Sequence, residues 1–348
     1  MRSRVTASQI AKELGLAQST VSHILNGRGD ELGIKAETQL RVREAARDMG
    51  YLPNVSARAM RSGRFGSAAL IQSVNRVYVP ASLLLGLTEE LNRRHMRLLV
   101  AETADAEIGE AFYLPNVLRE LSVDGLLINV LLDLPQEMLD RVHALRVPAV
   151  WINTDEPADC VFPDDFNGAR LATEHLLGFG HRRIAFIRAR PRPHNDKEHY
   201  SVALRRSGYE HSMKAAGLAP QVLEIAPAPI WEKGLMDDNR IADVVQILKS
   251  SARPTALIAY EKDTALPVLL AAFQMKLKVP GDLSLIMFHH DFDWTVGVSI
   301  TTVIHNMQRV GVEAAAMLDE KINTPEHSLP PRAVPSFLFD GATCGPPL

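Results

Sequence analysis

The stretch from Val5 to Asn26, VTASQIAKELGLAQSTVSHILN, constrains the fold of this chain more than any other. Thr6 and Gln9 have the spacing of a capping box, and apolar residues then recur on one stripe of a helix. Gly15 ends this run, because glycine can take the positive φ of a tight turn between helices. A second short helix is expected from about Gln18 to Asn26. The segment therefore predicts a helix-turn-helix.

The second predicted helix has two faces of different character. Its apolar face contains Val21, Ile24 and Leu25. Its other face carries side chains that can donate or accept hydrogen bonds: Gln18, Ser19, Ser22, His23 and Asn26. Such a face suits the major groove of DNA, where base edges present donors and acceptors. The alternative is a pair of small helices with a solvated polar face, since short motifs have false positives.

Charge is distributed unevenly along the 348 residues, although the net charge is only −3. The first 64 residues carry 11 Lys and Arg against 6 Asp and Glu, whereas the remainder carries 27 against 35. A basic amino-terminal segment on an acidic body indicates a polyanion bound at one end. Two cysteines exclude a disulfide framework and a typical zinc site. The start lacks a signal-peptide core and no stretch approaches membrane-spanning length, which predicts a cytoplasmic protein.

A third helix is predicted from about Ala36 to Met49, with an apolar face that includes Leu40. The following segment, Asn54 to Arg64, has helix-forming residues but few apolar anchors, and two helical turns are marginal alone in water. We therefore expect this segment to become helical only on a partner. Its arginines suggest a phosphate backbone, and Met60 would be an apolar wedge in the minor groove. The alternative is a basic linker whose Met60 packs on a neighbouring domain.

From about Phe65 the sequence alternates between short apolar runs and amphipathic helices. Strands are predicted at Ala68–Ile71, Leu98–Ala101, Gly125–Val130, Ala149–Ile152, Ile184–Ile187, Ala256–Ala259 and Leu283–Phe288. Helices are predicted at Ala81–Arg94, Ile108–Leu121, Gln136–Leu145, Gly168–Gly178, Ala203–Gly217, Asp238–Ser250, Thr264–Lys276 and Met307–Ile322. Such alternation is typical of parallel sheets with crossover helices. We predict an α/β body of two Rossmann-like lobes, with a ligand in the crevice at the carboxyl ends of the strands.

The segment through Arg64 resembles the DNA-binding head and hinge of the LacI/GalR family of bacterial transcription regulators. The resemblance rests on VT-x3-IA-x2-LG-x4-TVS-x2-LNG, ET-x2-RV-x2-AA-x2-MGYLPN and SARAMRSG. It implies that the second helix reads the major groove, and that two hinge helices, one per subunit, lie in the minor groove with Met60 at the central step. The expected DNA-binding residues are Thr6, Ala7, Gln18, Ser19, Thr20, Ser22, His23, Asn26, Thr38, Asn54, Ala57, Arg58, Met60 and Arg61.

Three positions depart from the family pattern. Ala17 stands where the recognition helix usually has a Ser N-cap, which should forfeit about 1 kcal/mol of capping. Lys35 begins the third helix where Ser is common. His23 stands where Arg is frequent, and a neutral imidazole makes one bond to guanine where Arg makes two. The departure at His23 affects the operator's base preference at that step rather than the mode of binding.

The body resembles the effector domain of the same family, which is similar to periplasmic sugar-binding proteins. The match is close over Asp164–Ile187 and weaker over Tyr200–Leu218 and Lys278–Asp291. It implies dimerisation through the lobes. It also implies a head at 1–53, a hinge helix at 54–64, an N-lobe at 65–163 plus about 296–324, and a C-lobe at 164–295 plus about 325–343.

Arg205, three residues before Gly208, matches the family arginine that binds effector hydroxyls or carboxylates. The expected effector-binding residues are Arg205, Asn153, Trp231, Glu261, His289 and Asp291. Asn153 and His289 replace acidic residues of sugar-binding members, and each lost carboxylate removes an acceptor for sugar hydroxyls. An unusual effector, or none, is therefore as consistent with the sequence as a simple sugar. Trp231 could stack on a ligand ring or belong to the core.

The sequence thus predicts a ligand-responsive regulator, a repressor that binds a near-palindromic operator as a homodimer. No catalytic motif is recognised, so we expect neither an enzyme nor a cofactor. The pairs His289–His290 and His194–His199 lack a third ligand at a suitable spacing, so no metal site is expected. The alternatives are a free solute-binding protein or sugar-processing enzyme on the same two lobes, and an architectural DNA-bending protein.

Overall fold

The computed structural model describes residues 5–51, 63–73, 79–103, 123–129, 140, 142, 144, 146–191, 198–227, 239–291 and 297–348. The chain divides into two compact units, Met1–Phe65 and Gly66–Leu348, which we call the head and the body. Most of the predicted hinge helix and most of the helix predicted at 136–145 lie outside the described residues. The helix predicted at 108–121 lies wholly outside them. Over the described ranges, no helix is long and apolar enough to cross a membrane.

Three helices form the described part of the head: α1 (Ala7–Leu14), α2 (Gln18–Leu25) and α3 (Ala36–Asp48). The predicted capping box begins α1, where the Gln9 amide donates to the Thr6 hydroxyl (3.3 Å) and the Thr6 amide donates to Gln9 Oε1 (2.8 Å). Gly15 takes φ +66° in the turn before α2. The predicted helix-turn-helix is therefore confirmed.

The core of the head contains buried side chains from all three helices: Ile10, Ala11, Val21, Ile24, Val42 and Ala46. Leu40 was predicted for the apolar face of α3, but it is 56% exposed. The prediction was wrong because Leu40 lies two residues before Val42, about 200° around the helix from the buried stripe. Gln39 is buried instead, and its Nε2 donates to Asp30 Oδ1 and to the Ile34 carbonyl oxygen, both at 2.8 Å.

The first lobe of the body is built on a six-stranded sheet. Its strands are β1 (Ser67–Ser73), β2 (Arg97–Thr103), β3 (Gly125–Asn129), β4 (Ala149–Ile152), β5 (Cys160–Pro163) and β11 (Arg332–Val334). Their order is β11-β5-β4-β3-β1-β2, with every neighbouring pair parallel. Helices α4 (Ala81–Arg93) and α9 (Met307–Asn323) share one core with this sheet. They pack closely, since a Cβ at Gly86 would lie 2.0 Å from the Gln308 carbonyl oxygen.

The second lobe has another six-stranded sheet. Its strands are β6 (Ile184–Ala189), β7 (Gln221–Ile225), β8 (Ala256–Ala259), β9 (Ser284–His289), β10 (Thr301–Ile304) and β12 (Phe337–Phe339). Their order is β12-β10-β9-β8-β6-β7, and only β12 runs antiparallel to its neighbour. The helices of this lobe are α5 (Asp165–Gly178), α6 (Tyr200–Ala215), α7 (Arg240–Lys249) and α8 (Lys262–Gln274). The predicted fold of two parallel-sheet lobes is confirmed.

The path of the chain between the lobes differs from the prediction. The chain was expected to cross near Val296 and again near Thr324. Strand β10 instead lies in the second sheet beside β9, with Thr301 opposite Ile286. Strand β11 lies in the first sheet beside β5. The chain therefore leaves the first sheet after Pro163, returns between β10 and α9, and crosses again between β11 and β12.

Candidate DNA-binding helix and effector crevice

The polar face of α2 is accessible to solvent. It consists of exposed Gln18, Ser19 and Asn26 and partly exposed Thr20, Ser22 and His23. On the opposite face, Val21 and Ile24 are buried in the core of the head. Because Val21 and Ile24 supply the core contacts of α2, substitutions on its polar face can change the recognition of a partner without removing those contacts.

The two ends of α2 are held differently. Ala17 is the N-cap and its side chain makes no capping hydrogen bond, as the sequence predicted. At the other end, Asn26 Nδ2 donates to the Ser22 carbonyl oxygen (2.7 Å) and to Ser22 Oγ (3.3 Å). The amino-terminal turn therefore keeps its amide groups available to a ligand such as a phosphate.

The other predicted DNA-binding residues fall into two groups. Thr6 and Ala7 begin α1, and Thr38 is half-buried in the first turn of α3. No side-chain cap precedes α3 at Lys35, in agreement with the sequence. The predicted hinge contacts lie outside the described residues: Asn54, Ala57, Arg58, Met60 and Arg61.

Arg205 on α6 is 7% exposed and lies near the meeting point of the two lobes. Its Nε donates to Asp165 Oδ1 and its Nη1 to the Tyr260 carbonyl oxygen, both at 2.6 Å. The rings of Tyr260 and Phe288 flank the guanidinium, with each ring centroid 4.6 Å from Cζ. Burial opposes the charge, but Asp165, Tyr260 and Glu261 together outweigh burial and raise the pKa of Arg205. The arginine is therefore a buried cation that the protein itself compensates.

His305 extends this network. Its Nε2 lies 2.8 Å from Arg205 Nη2, and its Nδ1 lies 2.9 Å from Ser336 Oγ. Since a guanidinium only donates, Nε2 must accept, and the proton of the neutral ring is placed on Nδ1, where it is donated to Ser336. Burial, assisted by the charge of Arg205, lowers the pKa of His305 well below its ordinary value. The contact to Arg205 thus requires an uncharged imidazole.

Asn153 is a contact point between the lobes. It follows β4 in the first lobe and has φ +59°. From the second lobe, His199 Nε2 lies 3.1 Å from the Asn153 carbonyl oxygen, and the Tyr200 hydroxyl donates to Asn153 Oδ1 (3.1 Å). His199 Nδ1 accepts from Ser201, whose Oγ lies 2.7 Å away. Burial lowers the pKa of His199 to about 4, so the ring is neutral near pH 7.

The remaining predicted effector-binding residues lie around this network or beyond the described residues. Glu261 is an exposed N-cap of α8, close enough to Arg205 to contribute to its raised pKa. His289 is half-buried at the end of β9, where it helps to lower the pKa of His305. Asp291 is half-buried two residues farther on, and Trp231 is not described. Among the residues that the structure describes, no cluster of His, Cys, Asp and Glu could hold a metal ion.

Several polar groups that lie around Arg205 in the structure were not predicted from the sequence. Asp165, Tyr200, His305 and Ser336 belong to the network. Two further buried atoms, Asp165 Oδ2 and His290 Nδ1, have no hydrogen-bond partner among the described residues. Asp165 lay inside the matched segment Asp164–Ile187 and could have been singled out there. His305 and Ser336 lie on crossovers that the sequence placed elsewhere, so no pattern identified them.

Comparison with known proteins gives matches over both units. The family described as "Bacterial regulatory proteins, lacI family" matches residues 6–54, and the "Periplasmic binding protein-like domain" matches residues 173–344. The HTH-type transcriptional repressor PurR of Actinobacillus pleuropneumoniae serotype 3 (strain JL03) is 24% identical over 333 residues, which cover 94% of each chain. The chain therefore combines a DNA-binding segment of the lacI family of bacterial regulatory proteins with a periplasmic binding protein-like domain. It is a DNA-binding transcription regulator.

Solved structures of this LacI-family fold span nearly the whole chain. The lac repressor dimer bound to operator and the anti-inducer ONPF has a TM-score of 0.75 at 20% identity, covering 98% of this chain and 99% of that one. The complex of the transcriptional regulator CelR with cellobiose has a TM-score of 0.63 at 22% identity, covering 98% and 100%. These likenesses establish a common fold of head and two-lobed body.

Proposed function

We propose that this LacI-family regulator is a ligand-responsive repressor that binds a near-palindromic operator as a homodimer. The observation that carries the proposal is the solvent-accessible polar face of α2, supported on its other side by the core of the head. The name of the PurR relative supports repression as the sign of regulation. In a dimer, two heads on one symmetry axis would read two half-sites.

The head would dock with α2 in the major groove. Gln18 can bond an adenine edge through two atoms, whereas neutral His23 offers one bond to a base. The amino-terminal amides of α1 and α3, beside Thr6 and Thr38, would bind phosphates, because helix N-termini attract anions. The basic excess of the first 64 residues supports this orientation.

We further propose a head at 1–53 and a hinge helix at 54–64. Two hinge helices, one from each subunit, would order in the minor groove with Met60 inserted at the central step. Asn54, Ala57, Arg58 and Arg61 would contact the adjoining sugar and phosphate groups. Support comes from the composition of this segment, which is basic and too short for a stable isolated helix.

Exposed apolar side chains on the body support a dimer of bodies. In the first lobe, Leu85 on α4 is 49% exposed. Leu99 and Val100, which are neighbours in the sequence, are exposed on the edge strand β2. In the second lobe, Leu270 and Phe273 lie on α8, and Phe273 is 82% exposed. Clusters of exposed apolar residues of this kind mark protein interfaces. We propose that a second copy of the chain covers them.

The crevice between the lobes would hold the effector. The proposed contacts are Arg205, Asn153, Trp231, Glu261, His289 and Asp291. Arg205 is already compensated by Asp165, and low pKa values keep His199, His290 and His305 neutral. This balance favours an uncharged small molecule, such as a sugar or a related metabolite, over a phosphate or carboxylate. The cellobiose complex of CelR supports an uncharged ligand for this fold.

The proposal includes no cofactor and no catalytic step, in keeping with relatives that are named transcription regulators. Bacterial DNA lies in the cytoplasm, and we therefore place the protein there. Effector binding would bias the relative positions of the lobes, and a bias of a few kcal/mol can order or melt a marginal hinge helix.

Selection of genomic DNA fragments by the purified full-length protein tests this function. We expect sequencing of the retained fragments to give one near-palindromic motif, and a panel of uncharged metabolites to contain one that weakens retention. A Gln18→Ala variant with intact folding should enrich the motif less strongly. Retention of fragments without any common motif would overturn the proposal.

A further inference from the structure

The chain passes between the two lobes at three places. The first crossover joins β5 to α5, the second joins β10 to α9, and the third joins β11 to β12. Each crossover supplies one polar side chain to the same network: Asp165 from the first, His305 from the second and Ser336 from the third. Arg205, which belongs to none of the crossovers, connects the first of these side chains to the second.

The network is continuous. Arg205 Nε lies 2.6 Å from Asp165 Oδ1, Arg205 Nη2 lies 2.8 Å from His305 Nε2, and His305 Nδ1 lies 2.9 Å from Ser336 Oγ. Asp165 and His305 are each 1% exposed, and Arg205 is 7% exposed. Water therefore offers little competition for the hydrogen bonds among these three residues, whereas Ser336 is only half-buried. A partner lost by one of the buried groups is costly to replace. We call these four residues the crossover clasp.

One glycine allows the clasp to form. A Cβ at Gly208, one turn after Arg205, would lie 2.1 Å from the Phe166 carbonyl oxygen, so only glycine lets α6 approach α5 this closely. The close approach of α5 to α6 brings Arg205 to the first crossover. On α5, Gly168 faces the third crossover, where an added Cβ would lie 3.5 Å from Ser336 in ordinary contact.

We propose that Arg205 is a positioning residue that fastens the three crossovers together, so that the connections between the lobes bend as one unit. Three of its five N–H groups are engaged by protein acceptors, and aromatic rings flank the guanidinium. Its influence on the effector response then passes through the crossovers as well as through its proposed contact with the effector. This consequence rests on the proposed ligand-responsive function, but the mechanical linkage itself does not.

Hydrogen–deuterium exchange of the full-length protein, without DNA or metabolite, tests the clasp. The informative variant is His305→Leu, which removes both the acceptor for Arg205 and the donor for Ser336. Ser336→Ala removes only the last bond and leaves the core side chains in place. His305→Gln keeps an acceptor and a donor, and Arg206→Ala on the exposed face of α6 is the matched control.

In His305→Leu we expect amide exchange to rise together in peptides from all three crossovers, by about tenfold relative to the buried strand β8. The rise should be about threefold in Ser336→Ala, smaller in His305→Gln than in His305→Leu, and absent in Arg206→Ala. A rise confined to the peptide that carries the substitution would overturn the proposal. An equal rise in β8 would also overturn it, because the substitution would then have weakened an ordinary core contact. Failure to bind DNA would leave these outcomes unchanged and would count only against the proposed function.

Discussion

The polar face of α2 and the crossover clasp use polar side chains in opposite ways. On α2 the side chains of Gln18 and Ser19 are exposed, and the stability of the head comes from the apolar face behind them. In the clasp, Asp165 and Arg205 are buried, and each contributes to satisfying the other. The first arrangement leaves hydrogen-bonding capacity for an external partner, whereas the second consumes it inside the protein.

This difference separates the residues proposed to recognise DNA from the residues proposed to link the crossovers. A change on the polar face of α2 should alter the choice of DNA without altering stability, because no core contact is lost. A change in the clasp should alter stability first, because it leaves a buried polar group without its partner. Substitutions in the two regions should therefore differ in whether they change DNA choice or stability.

The largest effect is expected for Arg205→Ala. The substitution leaves Asp165 as an uncompensated buried carboxylate, which should cost the body about 3–5 kcal/mol of unfolding free energy. Urea unfolding followed by circular dichroism measures this loss. The neighbouring control Arg206→Ala breaks an exposed ion pair with Glu210 and should cost about 0.5 kcal/mol or less. Equal losses in the two variants would remove the distinction between a buried and an exposed arginine.

Acid should destabilise the body through its buried histidines. Burial lowers the pKa of His199 to about 4, so the folded chain keeps this ring neutral while the unfolded chain takes up a proton below about pH 6.5. The stabilisation is therefore complete above pH 6.5 and is lost as the pH falls towards 4, by about 3 kcal/mol at most for this residue. Urea midpoints at several pH values measure the slope. His199→Gln should flatten it, and an unchanged slope in this variant would refute the assignment.

On the polar face of α2, Gln18→Ala should reduce the preference for the operator over random duplex by about 1–3 kcal/mol. Its unfolding free energy should remain that of the parent protein, since Gln18 is exposed. Titrations with both duplexes at one salt concentration separate the two effects. A loss of equal size on operator and random DNA would place Gln18 against the phosphate backbone instead of a base.

The smallest effect is expected at the start of α2, where Ala17 makes no capping hydrogen bond. Ala17 has extended backbone angles, φ −65° and ψ 140°, which suit a side-chain cap. Ala17→Ser should therefore raise the stability of the head by about 1 kcal/mol. A shift of the melting transition of the head measures the gain. No shift would mean that the added hydroxyl does not reach an amide of the first turn of α2.

The fold of the head could be predicted from the sequence because its signals are local. Thr6, Gln9 and Gly15 have roles set by neighbours within a few residues, and the structure confirms them. The seven predicted strands were found because each is a continuous apolar run, and all but the edge strand β2 have a neighbouring strand on both sides. Strands β5, β7, β10, β11 and β12 were missed, since each is only three to five residues long and carries too little periodicity to be recognised.

The crossover clasp could not be predicted from local sequence. Asp165 and His305 lie 40 and 100 residues from Arg205, and nothing local to either residue indicates the contact. The sequence identified Arg205 and Gly208 through their family pattern, but it gave an external role to a guanidinium that the fold also uses internally. The missed strands β10, β11 and β12 and the missed clasp have one cause, because all of them depend on where the crossovers lie.

Fluorescence anisotropy with the full-length protein tests the central claim that the polar face of α2 reads DNA sequence. The two duplexes would be the near-palindromic motif obtained by selection and a scrambled duplex of equal length and composition. We expect binding to the motif to be at least about 10³-fold tighter than binding to the scrambled duplex at physiological salt. We also expect the double variant Gln18→Ala, Ser22→Ala to lose most of this ratio while retaining binding to the scrambled duplex. Equal affinity of the parent protein for both duplexes would contradict the account.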